Sequence, residues 1–440
     1  MILPDTPPGS CQRLLLPSYS LLWLAALPAV FLKLLWRARR QPAYLRHLRE
    51  RFGIYRTYTP SPVIWVHAVS VGETRAAAPL IRALLERYPE HSVVLTHMTP
   101  TGRETAKTLF DEEPRVLRLY LPYDFGPFAA RFLRHFRPAF GIVMETELWP
   151  CLLAACQRHG VPVLLANARL SERSAQGYAR IPALTRLTLG ALAAVGAQSD
   201  ADAARLSALG ARRVSVTGNI KFDSTPPENA FALAARFRAR CGARPTILAA
   251  STREGEEILI LDAFLRARAD SPLDVLLILT PRHPQRFDDV AAMLQARGIA
   301  MARRSADREL PEPEPLPPET RVWLGDSMGE MFAWYAAADI ALIGGYWLPF
   351  GGQNPIEACA VGTPVLLGPH AFNFQRTADE AVDAGAALRC EDADAAMRTA
   401  FALLADQSTR TTMAEAGRHF AAANRGATAR TLALLDEILA

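Results

Sequence analysis

From residue 62 onward, short apolar, β-branched runs alternate with longer Ala-, Leu- and Arg-rich segments, and this rhythm restricts the fold more than any other feature of the chain. The first series reads "VIWVHAVS", "SVVLTHMT", "RVLRLYLP", "FGIVMET", "VPVLLANA", "ALAAVGAQS" and "RVSVTGN". After Lys221 a polar, proline-bearing segment, "FDSTPPENAF", interrupts it. The rhythm then restarts with "TILAAST", "DVLLILTPRH", "RVWLGDS", "DIALIGGY" and "TPVLLGP". Apolar runs separated by helical periodicity specify βαβ units and a parallel sheet covered on both faces. A chain of 440 residues also exceeds what one core normally organises. The expectation is therefore two doubly wound, Rossmann-like α/β domains, residues 41–225 and 235–425, facing a cleft, followed by a terminal helix over 426–440. Between two runs of the second series, "LPEPEPLPPET" (Leu310 to Thr320) reads as an exposed, extended loop.

Ahead of the first series stands "LLLPSYSLLWLAALPAVFLKLLW", Leu14 to Trp36. It matches the ~20 apolar residues a bilayer crossing needs. From Lys33 to Arg56 come eight cations (Lys33, Arg37, Arg39, Arg40, Arg46, Arg49, Arg51, Arg56) and one acid, Glu50. This basic collar points to an anionic membrane surface at the N-terminus rather than to nucleic acid, and the positive-inside bias places the body of the protein in the cytoplasm. Residues 1–40 are read as a membrane anchor with its collar. A transmembrane span, an in-plane helix and an amphipathic helix packed on the domain remain open at this level. The six cysteines show no CxxC or paired spacing, and the histidines no HExxH, so neither a disulfide scaffold nor a metal site is expected.

Ligands of doubly wound sheets bind beyond the carboxyl ends of strands, so chemistry is sought where each run stops. The first run leads to Val71-Gly72-Glu73 at a helix start, where free N–H groups stabilise an anion. Glu73 is a candidate general base, or else a helix-terminal charge. "METELWP" supplies Glu145 and Glu147, and "NARLSERS" supplies Asn167, Arg169 and Ser171. Lys221 lies between Ile220 and Phe222 at the domain boundary. In the second half, "ASTREGEE" ends a strand with helix-start chemistry, and "PRHPQRF" puts Arg282 and His283 between prolines, a rigid setting suited to phosphate. Ser327, Met328, Gly329 and Glu330 open a helix. Two glycine pairs, Gly344-Gly345 and Gly351-Gly352, bracket a loop, after which Asn354 reads as N-cap and Pro355 as first helical residue, with Ile356 and Glu357 following. Glycines, cap and acid together fit an anionic nucleotide.

In order along the chain, "WVHAVSVGET", "METELWP", "NARLSERS", "GNIKFD", "ASTREGEE", "PRHPQRF", "GDSMGEM" and "GGQNPIEACAVGTPVLLGPHAFNF", with the basic anchor, resemble the 3-deoxy-D-manno-octulosonic acid (Kdo) transferases. The resemblance implies a GT-B glycosyltransferase moving Kdo from CMP-Kdo to a lipid A precursor (lipid IVA) at the cytoplasmic face of the bacterial inner membrane, in lipopolysaccharide biosynthesis. It implies Glu73 as catalytic base and Glu145 and Lys221 as transition-state groups. It implies a CMP site drawn from Pro281, Arg282, Met328, Gly329, Glu330, Asn354, Pro355, Ile356 and Glu357, with no metal or other cofactor. The family pattern carries His at the positions of Gln353 and Arg253 and a basic residue at that of Phe350. The rival readings are another GT-B transferase, a sugar-nucleotide epimerase, or a non-catalytic, membrane-tethered scaffold.

Overall fold

A computed structural model describes residues 10–59, 61–307 and 314–440. The chain divides into two compact units: Met1–Asp223 with Arg425–Ala440, and Ser224–Asn424. Each contains one seven-stranded sheet, parallel throughout.

The strands of the first unit are β1 (Val63–His67), β2 (Ser92–His97), β3 (Val116–Tyr120), β4 (Pro138–Met144), β5 (Val163–Ala168), β6 (Ala194–Ala197) and β7 (Val214–Val216). They are ordered β3-β2-β1-β4-β5-β6-β7, so the chain reverses direction across the sheet between β1 and β4. Every residue of β1, β2 and β5 is buried. Successive side chains in β1 serve opposite layers. Ile64 and Val66 join a core with Leu80, Ile81 and Leu84 of the helix Val71–Arg87. Val63 and Trp65 join another with Phe132, Leu152 and Leu153. The first of these cores also receives Ala427, Leu434 and Leu435 from the last helix, Ala427–Leu439. Asp223 fixes that helix by accepting the Gly426 and Thr428 N–H groups at 2.7 and 2.5 Å. Arg87 pairs with Asp436 at 2.7 Å on the same side.

The second unit contains β8 (Thr246–Thr252), β9 (Leu276–Pro281), β10 (Met301–Arg303), β11 (Val322–Leu324), β12 (Ile340–Ile343), β13 (Val365–Leu367) and β14 (Ala387–Arg389), in the order β10-β11-β9-β8-β12-β13-β14. Two of these, β10 and β14, have no counterpart among the apolar runs read from sequence. Both are three-residue edge strands, partly exposed, and so lack the continuous apolar signal of a buried strand. Of the extended loop expected over 310–320, residues 310–313 lie outside the described residues; the rest contains no helix or strand.

The N-terminal apolar stretch forms one helix, Ser10–Arg40, which packs against the helices Pro150–Arg158 and Pro182–Gly190 of the first unit. Residues 1–9 of the expected anchor lie outside the described residues. The collar that follows is not uniformly superficial. Arg51 is 2% exposed, lies 4.1 Å from the Tyr120 ring and donates to the Met98 carbonyl. Glu50 is also interior and accepts from Arg103 (2.7 Å) and the Tyr120 N–H (2.8 Å). Arg51 and Glu50 thus belong to the interior, and the remaining described cations form the collar's surface. Lys33, Arg37, Arg39, Arg46, Arg49 and Arg56 are exposed, and the stretch's sole acid is hidden.

Candidate active site

At the carboxyl end of β1 the chain turns into the helix Val71–Arg87 through Ser70, whose side chain caps the Glu73 N–H. The Glu73 carboxylate folds back on this helix start. One oxygen accepts the Val69 N–H and the other the Ser70 hydroxyl, each at 2.8 Å. This reciprocal arrangement is a variant of the capping box. It fixes the carboxylate in place while half-burying it. Burial, and then the neighbouring Glu145 charge, push its pKa up to about 7, against the two hydrogen bonds that favour the anion. The two nearby histidines behave differently. His67 and His97 end β1 and β2 fully buried, and burial holds them down at about 3 and about 4, so both imidazoles are neutral.

Glu145 follows the last residue of β4 and sits in the left-handed region (φ 57°), so the pair Glu145/Glu147 is neither extended nor helical. Its N–H donates to Ala166 in β5 (2.9 Å), and its carboxylate accepts from Lys221 Nζ at 3.0 Å. Glu147 accepts from Trp149 Nε1 at 3.2 Å, and burial raises its pKa. Lys221 belongs to a short 3₁₀ turn, Ile220–Asp223, anchored by buried Ile220 and Phe222. That turn is positioned by Asn167 at the end of β5. Buried in a left-handed conformation (φ 54°), Asn167 accepts the Ile220 N–H through Oδ1 at 3.0 Å. The ends of β1, β4 and β5 thus bring Glu73, Glu145, Glu147 and Lys221 into one electrostatic cluster, three acids with one cation. Arg169 is exposed and its backbone carbonyl accepts the Thr146 hydroxyl, between the two glutamates, while Ser171 caps the helix Glu172–Ala179.

In the second unit, Pro281 closes β9 and is buried, and the Arg282 N–H donates to Thr252 at the end of β8 (2.9 Å). Arg282, Arg253 and His283 gather there; burial and then these two guanidinium groups lower the His283 pKa. Arg253 and Phe350 meet: the guanidinium lies 4.8 Å from the ring centroid. Met328 and Gly329 are exposed before the helix Met331–Ala337. Glu330, at its boundary, is held by Arg304 at 3.0 Å and by the Ser327 hydroxyl. The following helix spans Ile356–Val361. Asn354 Oδ1 accepts the Ile356 N–H at 3.1 Å, and Pro355 already has helical angles (φ −84°, ψ −11°) although regular bonding begins one residue later. Pro355 and Ile356 are buried, so they offer backbone rather than side chains; Glu357 is half-exposed.

Sequence reasoning gave Glu256 only a place in a helix start. In the structure its buried carboxylate organises the glycine loop, accepting N–H groups from Gly345 (2.7 Å), Arg253 (2.8 Å) and Trp347 (2.9 Å). The buried backbone of that loop passes so close to β8 that a Cβ on Gly344 would fall on the Ser251 carbonyl. Gly352 (φ 86°) meets the Tyr346 ring, 2.5 Å from where a Cβ would stand. An acid within a strand-to-helix turn, five residues after "LAAS", is the only sequence signal for this role.

Two cavities open on the first unit. One, about 370 Å³, lies between the N-terminal helix (Leu24, Leu27, Phe31) and Leu48, Phe52 and Tyr123, and is apolar. The other, about 450 Å³, is lined by Arg46, Arg103, Lys107 and Arg118 but also by Glu104 and Asp111. Among the described residues no cluster of three or more His, Cys, Asp or Glu is arranged to hold a metal ion.

The profile of the 3-deoxy-D-manno-octulosonic-acid transferase (kdotransferase) family matches residues 46–224. The chain is 45% identical to the 3-deoxy-D-manno-octulosonic acid transferase of Bordetella pertussis, over 96% of this chain and 99% of that one. It is 38% identical to the Haemophilus influenzae transferase, over 91% and 93%. In fold it is similar to a glycosyltransferase from Rickettsia africae (13% identity, TM-score 0.55, 87% of this chain and 99% of that one). The UDP-GlcNAc 2-epimerase of Neisseria meningitidis is equally similar in fold (16% identity, TM-score 0.55, 85% and 100%). The two parallel seven-stranded sheets are those of a GT-B glycosyltransferase, and near full-length identity to curated members places the chain in the 3-deoxy-D-manno-octulosonic acid transferase family.

Proposed function

We propose that this glycosyltransferase moves Kdo from CMP-Kdo to a hydroxyl of a lipid A precursor, lipid IVA, with Glu73 as general base, at the cytoplasmic face of the inner membrane. The observation that carries the reading is the state of Glu73. A half-buried carboxyl at a strand end, fixed by two hydrogen bonds and poised at about 7, has the affinity a base needs near neutral pH. The acceptor oxygen attacks the anomeric carbon of Kdo, the bond to CMP breaks with its electron pair on the phosphate, and the hydroxyl proton passes to Glu73. A phosphate monoester leaves as a stable anion, so no general acid is required. Positioned proton transfer of this kind contributes ~10²–10⁴-fold.

Lys221, held by Glu145, would face the carboxylate of the Kdo unit, which resists positive charge at the reacting carbon. Arg282 and the backbone at Met328, Gly329 and Asn354 to Glu357 would bind the cytidine phosphate, with Pro281 and Glu330 shaping the site. These groups would offset the phosphate charge that a metal would otherwise neutralise, and the proposed chemistry calls for none. The apolar cavity of about 370 Å³ supports an acylated acceptor. Product analysis by mass spectrometry, with CMP-Kdo and a tetra-acylated acceptor, tests the reading directly. One or more Kdo units on the acceptor is the expected result; preference for UDP over CMP in binding would overturn it.

A further inference from the structure

The helix Ser10–Arg40 has two faces with different surroundings. Ser20, Trp23, Leu27, Val30, Leu34 and Ala38, spaced three or four residues apart, turn toward the first unit and are shielded, as are Leu15, Leu16 and Tyr19 ahead of them. The Ser20 hydroxyl lies 3.3 Å from Cys151 Sγ, and the Trp23 ring packs on Tyr123 with centroids 5.5 Å apart. Tyr19 neighbours the carboxylate of Asp124, which is 1% exposed and also accepts the Cys151 and Leu152 N–H groups at 3.2 and 2.9 Å. Farther along, Leu34 and Ala38 are 8% exposed. Docking therefore runs from Tyr19 to Ala38, about 29 Å at 1.5 Å per residue. That length nearly equals the ~30 Å hydrocarbon core of a bilayer.

The opposite face is apolar and open. Leu21, Leu22, Leu32 and Trp36 are between 58% and 72% exposed, while Leu24 and Phe31, 50% and 45% exposed, flank the docked side where they line the apolar cavity. From Leu21 to Leu32 no charge interrupts this face. A helix crossing a bilayer would have to leave Cys151, Tyr123 and Asp124 and carry Tyr19 and Ser20 into hydrocarbon, where their hydroxyls lose partners. Lying flat, it keeps every contact and still buries its apolar side, beside six exposed cations of the collar and no exposed acid.

We propose that the helix Ser10–Arg40 is a monotopic, in-plane anchor: clamped to the first unit along one side, embedded by the other in the headgroup–acyl boundary of an anionic bilayer, and never crossing it. The inference is independent of the transfer reaction, and its test reads binding and depth, not turnover.

The experiment uses the full chain with Ser20→Cys, which sets a second thiol beside native Cys151. Mild oxidation of protein already bound to phosphatidylethanolamine/phosphatidylglycerol vesicles is expected to link positions 20 and 151. The linked protein should bind those vesicles within twofold of the reduced form and phosphatidylcholine vesicles about tenfold more weakly. A separate set of single environment-sensitive labels at positions 21, 24, 32 and 35, without the crosslink, should all report one shallow depth. The proposal is overturned if linkage forms only off the membrane, if the linked protein no longer binds, or if label depth passes through a maximum at mid-helix. It is equally overturned if the exposed face pairs two copies of the chain and the resulting dimer ignores vesicles.

Discussion

Replacing Glu73 by glutamine separates the cost of this carboxylate from its use. Raising a carboxyl from its ordinary 4.5 to about 7 means that the folded protein holds a proton the unfolded chain has already released. At about 1.36 kcal/mol per pH unit, ionised Glu73 destabilises the first unit by at most about 3 kcal/mol above pH 7. The sign follows from the protons bound. Between pH 4.5 and 7 the native state binds more, so stability falls as pH rises, at up to about 1.4 kcal/mol per unit, and levels off above 7. Glutamine preserves shape and can still accept the Val69 N–H, while removing the charge that burial and Glu145 oppose. The Glu73→Gln variant should therefore melt at most about 10 °C higher at pH 8, lack this pH slope, and match the parent near pH 4.5. Its single-turnover transfer from CMP-Kdo should fall by ~10²–10⁴-fold. Thermal denaturation from pH 4.5 to 8.5, paired with that rate, checks both halves. A variant that is less stable at every pH would make Glu73 a helix cap and nothing more, and unchanged turnover would remove it from the chemistry.

Three further outcomes follow from the same geometry. Glu145→Gln removes the largest charge acting on Glu73, so the acid limb of the kcat/KM profile should move to lower pH, whereas Lys221→Ala leaves Glu145 uncompensated and should move it higher. Arg282→Ala should raise KM for CMP-Kdo about 10–100-fold with a smaller effect on kcat, the worth of a charge-assisted bond to phosphate at about 1.5–3 kcal/mol; an unchanged KM places Arg282 outside the donor site. Glu256→Ala strands three N–H donors in the interior and should cost at least about 3 kcal/mol in the second unit, with loss of CMP binding by calorimetry. Full CMP affinity in that variant would show that the glycine loop holds its shape without the acid.

The sheets were legible because their central strands are buried on both faces: "VIWVH", "VLLANA" and "LLILTP" cannot be read as exposed structure. The same physics hid β10 and β14, whose edge positions relax the demand for apolar residues. Strand ends pointed to Glu73 and Glu145 and the domain boundary to Lys221, and the fold brings these three together. What sequence could not give was the direction of a side chain. Arg51 reads like its neighbours in the collar but turns inward onto Tyr120. Glu256 and Glu257 differ by one position, and only Glu256 gathers the glycine loop; Glu257 lies 3.6 Å from Arg286 instead. The docked stripe of the N-terminal helix is invisible in a segment that is apolar all round, because no polar residues mark the side away from the protein.

The return of residues 425–440 to the first unit has a consequence for how the chain is made. Ala427, Leu434 and Leu435 fill the same core as β1, and Asp223 fastens the end of one stretch to the beginning of the other. The unit 224–424 is thus inserted between two stretches of the other unit, and the unit carrying Glu73 needs residues 425–440 to complete its core. A nascent or prematurely terminated chain would be left with an open seam beneath its β1 strand, so a short deletion at the carboxyl terminus should injure the amino-terminal half of the enzyme.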